Sequence, residues 1–423
     1  MQFTEKKLPN GIRVIVSPLA STQAVSLLVL IGTGSNYEVK RTNGISHFLE
    51  HLFFKGTKSR PRAGDVHRAL DGIGAEHNAF TSHEYTGYWV KSAFRHFDMA
   101  LDVVSDILLE PLFKSDEIER ERGVILQEIS MYEDMPQRRV SEYFESLLYG
   151  DQPAGWDIAG LPETVNNISR GDIVRYKEKQ YVASNTVVVV AGNVDPSEAM
   201  RKVSKTFVKM SKGHPDHQKK IKEEQKTPGV RMVWKESDQT HLMLGVRAFS
   251  LHDKRRYPLL LLSGILGGNT SSRLFMEIRE KLGLAYYVGA GAQHYATTGF
   301  FSARAGVPHS ALPIVVRKIT EILHDVCTKG ISERELLHIK DYVRGSLALA
   351  FETSDEIAFH LGEEALFRKK IIMPEEDLRK LDAVTRADIQ RLAREILKPA
   401  QLNLAVVGPH RSGSAYQKVL LKL

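Results

Sequence analysis

The chain has 423 residues, 42% of them hydrophobic and 26% charged, an ordinary globular balance that supports two or more domains and excludes a disordered chain or a fibre. Its 58 lysines and arginines exceed its 51 acids by a net charge of +7, but the two signs are interspersed, which argues for a solvated surface and against a nucleic-acid partner. A single cysteine, Cys327, excludes an internal disulfide and any thiol-rich metal site, so a metal would have to be held by His, Asp or Glu.

The first residues, "MQFTEKK", lack the apolar region and cleavage site of a secretory signal. The apolar run "AVSLLVLI" (24–31) is too short to cross a bilayer, so the expectation is a cytoplasmic protein with no membrane partner. That run and "RVIVS" (13–17) read as strands. Next comes "NGISHFLEHLFFKGT" (43–57), whose Ile45, Phe48, Leu49, Leu52 and Phe53 recur at spacings that predict a buried helix over 45–54. On a helix His47 and His51 leave from one face, with Glu50 one turn from His47 and beside His51. The bare H-x-x-x-H spacing by itself favours two core histidines with satisfied hydrogen bonds. The carboxylate between them changes the balance, because an uncompensated charge in so apolar a helix is costly and calls for a positive partner. Two imidazoles and a carboxylate suit Zn²⁺, provided another element brings a third ligand and a fourth position stays open.

Further along, "NAFTSHEYTGYW" (78–89) reads as strand, turn and strand. The segment "DEIERERGVILQEISMYEDMP" (116–136) reads as a long helix with Ile118, Val124, Ile125, Ile129 and Tyr132 on its apolar side. Its Glu121 and Glu128 lie two turns apart on a shared face, and either could be the third ligand; spacing does not choose between them and the solvent-facing acids.

Sliding the chain by 216 positions aligns residues 168–194 with 384–410 without a gap, matching Arg170 with Arg386, Asp172 with Asp388, Ile173 with Ile389, Arg175 with Arg391 and Gly192 with Gly408. Both copies predict a helix capped by Ser169 or Thr385, then an apolar strand ending in glycine. The chain therefore reads as a duplication: residues 1–210, a charged linker over 211–228 that contains "HQKKIKEEQK", and residues 229–423. Strands gather at the ends of each half, including "RMVWKE" and "THLMLGVRA" in the second, and helices fill the middle. This predicts an α+β protein of two homologous domains, each a mixed or antiparallel sheet with helices packed on it.

H-x-x-E-H is the inverted zinc-protease motif. Together "HFLEHLFFKGT", "GAEHNAFTSHEYTGYW" (74–89), "ERGVILQEISMYEDMP" and "LGGNTSSRLFMEIREKLGLAYYV" (266–288) make the chain resemble the pitrilysin and insulin-degrading-enzyme family, in the branch of mitochondrial processing peptidase, over essentially its whole length. The resemblance implies a zinc metalloendopeptidase carrying one Zn²⁺ per chain, held by His47, His51 and Glu128, which lies 76 intervening residues beyond His51. It gives Glu50 the part of general base and Glu121 that of orienting a histidine ligand. It lays substrate along the edge strand at Asn78, Ala79 and Phe80, and brings Arg279 and Tyr286 from the second domain to the substrate and the developing oxyanion.

An offset near 214 sets Leu261, Gly264 and Ile265 where His47, Glu50 and His51 stand, so the second copy cannot bind zinc there. The loop "YGDQPAGWDIAG" (149–160) departs from the family's usual turn. The chain is about half the length of the four-domain members, which implies that it forms half of a clamshell chamber and pairs with a second copy, or with a sister chain, around peptides or unfolded segments. The rival expectation is a non-catalytic core or partner subunit of a larger assembly.

Overall fold

The structure, a computed structural model, describes residues 1–421. It divides into two compact units, and each takes a segment from the other half of the sequence.

The first unit comprises Met1–Ile129, Asp157–Lys219 and Leu347–Met373. Its sheet is built from β1 (Thr4–Lys7), β2 (Arg13–Pro18), β3 (Ala24–Ile31), β4 (Glu76–Thr81), β5 (Thr86–Ala93) and β6 (Thr186–Gly192), in the order β1-β2-β6-β3-β5-β4. Only β2 and β6 run parallel; the other pairs are antiparallel. The central strands are apolar at nearly every position because both faces are covered. Val14, Val16, Leu27, Val29, Val188 and Val190 face a core shared with α1 (Ile45–Phe53), α2 (Asp65–Asp71), α3 (Phe97–Leu109) and α4 (Ser115–Glu133). The alternate residues Ile15, Leu28, Leu30, Val187 and Val189 face the helix Ser354–Phe367 through its Ile357, Ala358, Leu361 and Ala365. That helix lies close against the sheet at Gly362, where a Cβ would stand 2.8 Å from Leu30 Cδ1 and 3.2 Å from Leu28 Cδ2.

The second unit comprises Ser130–Trp156, Lys220–Ser346 and Pro374–Leu423. Its strands are β7 (Gly229–Trp234), β8 (Thr240–Ala248), β9 (Tyr287–His294), β10 (Gly299–Val307) and β11 (Asn403–Gly408), in the order β7-β11-β8-β10-β9, with β11 and β7 parallel. This repeats the order of the first sheet from β2 onward, so the duplication read from the sequence is a duplication of topology. On the face opposite its main core, α5 (Pro136–Tyr149) packs Val140, Phe144 and Leu148 with Met243, Phe300, Ala405 and Val407. The two helices that cross between halves occupy matching places in the repeat, to within two residues of the 216-residue shift.

Local signals account for much of this. Ser169 accepts from the Asp172 N–H and Thr385 from the Asp388 N–H, so both predicted helices start on capping boxes at equivalent positions. The helix expected over 116–136 ends at Glu133, because Pro136 opens the next one at its first turn. Val124 is exposed while Ile125 is buried: adjacent helical residues are about 100° apart, and only Ile125 shares a face with Ile118. Among the described residues no helix is long and apolar enough to cross a membrane.

Replacing Gly362 with leucine overfills the contact with Leu28 and Leu30 and is expected to cost about 1–3 kcal/mol. The fall in the denaturation midpoint measures it, and an unchanged midpoint would show that the helix is not held by this approach.

Candidate metal centre

The helix that carries the histidines is fixed at its start by backbone and charge. Gly44 precedes it with φ of 96°, and a Cβ there would lie 2.5 Å from the Ala159 carbonyl oxygen, so both conformation and space require glycine. Asn43 donates its side-chain amide to the Asp157 carbonyl at 3.0 Å, so the end of the 149–160 loop braces the start of α1. The buried carboxylate of Glu38 closes the helix N-terminus: it accepts from the Gly44 N–H at 2.7 Å, the Ser46 N–H at 2.9 Å and the Asn43 side chain at 2.8 Å. Burial pushes the Glu38 pKa up, and these donors oppose it. A carboxylate at this end also meets the positive pole of the helix.

From this start α1 turns its apolar side, with Ile45, Phe48, Leu49, Leu52 and Phe53, into the core. His47 and His51 leave the other side with ring centroids 4.7 Å apart. Helix α4 supplies the facing carboxylates. Glu128 Oε2 lies 3.7 Å from His47 Nε2 and 3.4 Å from His51 Nε2, so both rings aim the same nitrogen at one oxygen. Glu121, seven residues earlier and buried, brings Oε2 to 3.2 Å from His51 Nδ1 and Oε1 to 2.9 Å from Lys55 Nζ.

Burial disfavours a charged His51, but its hydrogen bonds to Glu121 and Glu128 outweigh this and raise its pKa to about 9. Burial alone would likewise raise Glu121, yet the bonds from His51 and Lys55 hold it below the ordinary glutamate range. Glu50 faces the same cluster and accepts from the Thr81 hydroxyl at 2.6 Å. Its pKa is raised by burial, with the Thr81 bond and the nearby His51 pulling the other way.

The donor set fits a zinc ion. Three ligand atoms from His47, His51 and Glu128 lie within 4.8 Å of one another, the one such group among the described residues. A tetrahedral site with bonds of about 2.0–2.2 Å has edges of about 3.3–3.6 Å. The 3.4 and 3.7 Å separations match that shape with little rearrangement. Glu121 at Nδ1 leaves His51 Nε2 as the ligand atom when the ring is neutral.

The other expected residues fall in two places. Asn78, Ala79 and Phe80 lie on β4, which pairs with β5 and forms the edge of the first sheet. Ala79 turns toward the α1 side, whereas Phe80 packs beside Tyr85 and Phe359 at ring distances of 5.5 and 5.8 Å. Arg279 and Tyr286 belong to the second unit. Arg279 rises from a π-helical stretch, Phe275–Lys281, and donates to the Tyr286 carbonyl; Tyr286 is 73% exposed. In that unit Leu261 and Ile265 are buried in the core, so the equivalents of the histidines are packing residues.

Three residues at the site escaped the sequence reading. Lys55 and Thr81 both lie inside motifs already singled out, Lys55 two residues beyond the end of α1. Glu38 carried no signal, because a cap reached from a preceding loop has no fixed spacing.

Known proteins resemble this chain over most of its length. The family model described as Insulinase (Peptidase family M16) matches residues 13–160, and that described as Peptidase M16 inactive domain matches residues 167–343. The chain belongs to peptidase family M16. It is 34% identical over 401 residues to the uncharacterized zinc protease YmxG of Bacillus subtilis, covering 95% of this chain and 97% of that protein. It is 34% identical over 408 residues to the uncharacterized zinc protease Rv2782c of Mycobacterium tuberculosis, covering 96% and 93%. A protease from Helicobacter pylori superposes with a TM-score of 0.90 at 25% identity, over 96% of this chain and 99% of that one.

Replacing Glu38 with alanine strands the buried Gly44 and Ser46 N–H groups and leaves the Asn43 amide with its bond to the Asp157 carbonyl. The expected loss is on the order of 2–6 kcal/mol in chemical denaturation, summed from about 1–3 for each of the two orphaned N–H groups. A loss below about 0.5 kcal/mol would mean that the helix start is held by Gly44 packing alone.

Proposed function

We propose that the protein is a zinc metalloendopeptidase that hydrolyses peptides or unfolded polypeptide segments. The observation that carries this reading is the convergence of His47, His51 and Glu128 with Glu50 beside them. A structural zinc site is normally closed by four protein ligands and has no use for an adjacent carboxylate base, whereas a catalytic one keeps a position open. The names of the zinc protease relatives point the same way. The rival, a non-catalytic partner subunit, has no need of a complete donor set and is disfavoured by it.

On this reading His47, His51 and Glu128 hold one zinc per chain, in a catalytic domain over residues 1–210, joined by the 211–228 linker to a substrate-contacting domain over 229–423. When bound, zinc supplies Lewis acidity, which polarises a carbonyl and can bring the pKa of water down to about 7. Glu121 orients His51 through Nδ1 and is itself balanced by Lys55. Glu50 takes a proton from the water that attacks the peptide carbonyl carbon. It then returns that proton to the amine nitrogen as the C–N bond breaks, so the carboxylate ends the cycle as it began.

Asn78, Ala79 and Phe80 offer the open edge of β4 to the substrate backbone, a mode that binds extended segments with little sequence reading. Arg279 and Tyr286 act as donors to substrate and to the developing oxyanion. Pairing with a second copy, or with a sister chain, completes a chamber, and the site of action is the cytoplasm.

The test is cleavage of a mixed peptide pool by zinc-loaded protein, read as new termini by mass spectrometry. Glu50→Gln is expected to lower the rate about 10²–10⁴-fold while about one zinc per chain is retained. Metal-loaded wild type that cuts no peptide would instead favour the partner-subunit reading.

A further inference from the structure

The base, Glu50, is tied to the strand proposed to hold the substrate. We propose that Thr81 is a positioning residue: its hydroxyl fixes the Glu50 carboxylate, so that the edge strand β4 sets the orientation of the base. The inference rests on the reading of Glu50 as the general base and adds to it a residue whose only contribution is geometric.

The argument starts from the carboxylate. Glu50 projects from α1 next to His51, and its terminal torsion is soft, so without a partner the carboxylate would sample a broad range. The Thr81 hydroxyl donates to Oε2 at 2.6 Å, within the short range of an O–H donating to a charged oxygen. With Oε2 engaged in this way, Oε1 is the atom left to take the proton.

The anchor itself is stiff. Threonine is branched at Cβ and has few χ1 choices, and Thr81 is held in register opposite Thr86 by the β4–β5 ladder. Thr86 is buried and donates its own hydroxyl to the Thr33 carbonyl at 2.9 Å. The position of the Thr81 hydroxyl is therefore set by the sheet and not by a flexible loop. Thr81 also directly follows Asn78, Ala79 and Phe80 on the same strand. A peptide backbone added to that edge would lie along the element that holds the base, so substrate register and base orientation share one reference. Misplacing a reacting group by about 1 Å can cost about 100-fold, which is the scale of effect available to such a contact.

The experiment compares zinc-loaded wild type, Thr81→Val, Thr81→Ser, Glu50→Gln and the Glu50→Gln/Thr81→Val double variant on one peptide that the wild type cuts. Valine keeps the shape and strand preference of threonine and removes the donor. Thr81→Val is expected to lower kcat by about 10–100-fold with KM within about twofold, at unchanged zinc content and Tm. Thr81→Ser is expected to restore most of the rate, and valine is expected to add nothing in the Glu50→Gln background.

A second readout does not depend on turnover. The Glu50 carboxylate band, isolated as the infrared difference between wild type and Glu50→Gln, is expected to shift in Thr81→Val and to return in Thr81→Ser. A Thr81→Val kcat within twofold of wild type, a loss confined to KM, an equal loss in the Glu50→Gln background, or an unmoved band would each overturn the inference while leaving the base assignment intact. Wild-type kcat in Glu50→Gln would overturn the base assignment itself, and this inference with it.

Discussion

Two imidazole nitrogens on α1 aim at a single carboxylate oxygen on α4, and the surrounding structure serves that convergence. Placing Glu50, Glu121 and Glu128 around a partly buried pocket concentrates negative charge where water cannot fully solvate it, and unpaired charges in such places are expensive. The chain answers with cations and donors: Lys55 and His51 on Glu121, His47 and His51 on Glu128, and Thr81 on Glu50. Three carboxylates against Lys55 and a divalent ion with neutral histidines sum to no net charge. The same carboxylates raise the pKa of His51 to about 9 against the effect of burial. Metal and proton thus compete for one ring, and the site is matched to a divalent cation by charge as well as by shape.

Duplication explains why one unit has this chemistry and the other does not. Both sheets share an order and a parallel pair at the same place, and each takes the equivalent helix from the other half of the chain. In the second unit the positions of the histidines hold Leu261 and Ile265, which pack into the core. A helix freed from holding a metal can bury both of its sides, and the second copy has done so. What the second unit retains at its surface is Arg279, set on a π-helical stretch of a kind often found at functional sites, and the exposed Tyr286.

The parts of the fold that were readable from sequence are those governed by local rules. Capping boxes at Ser169 and Thr385, the valine-rich strand before Gly192 and the 216-residue register all rest on contacts within a few residues or on direct repetition. The i, i+4 spacing placed His47 and His51 together for the same reason. The third carboxylate was another matter: periodicity put Glu121 and Glu128 on one face, and only the resemblance separated them. In the structure the difference is plain, since Glu128 reaches Nε2 of both rings whereas Glu121 reaches only Nδ1 of His51. The helix exchange could not be read, because amphipathic segments such as Pro136–Tyr149 state that they will bury a face without stating against which sheet. Glu38 was hidden likewise, its partners being backbone donors that every residue has.

The central claim is that His47, His51 and Glu128 together hold a metal and leave one position open. Diffraction from crystals of the zinc-loaded protein, collected on either side of the zinc absorption edge, tests it directly. The account predicts one anomalous peak per chain, about 2.0–2.2 Å from one nitrogen of each histidine and from a Glu128 oxygen, with no fourth protein ligand. A peak elsewhere, or one closed by a fourth side chain, would contradict it.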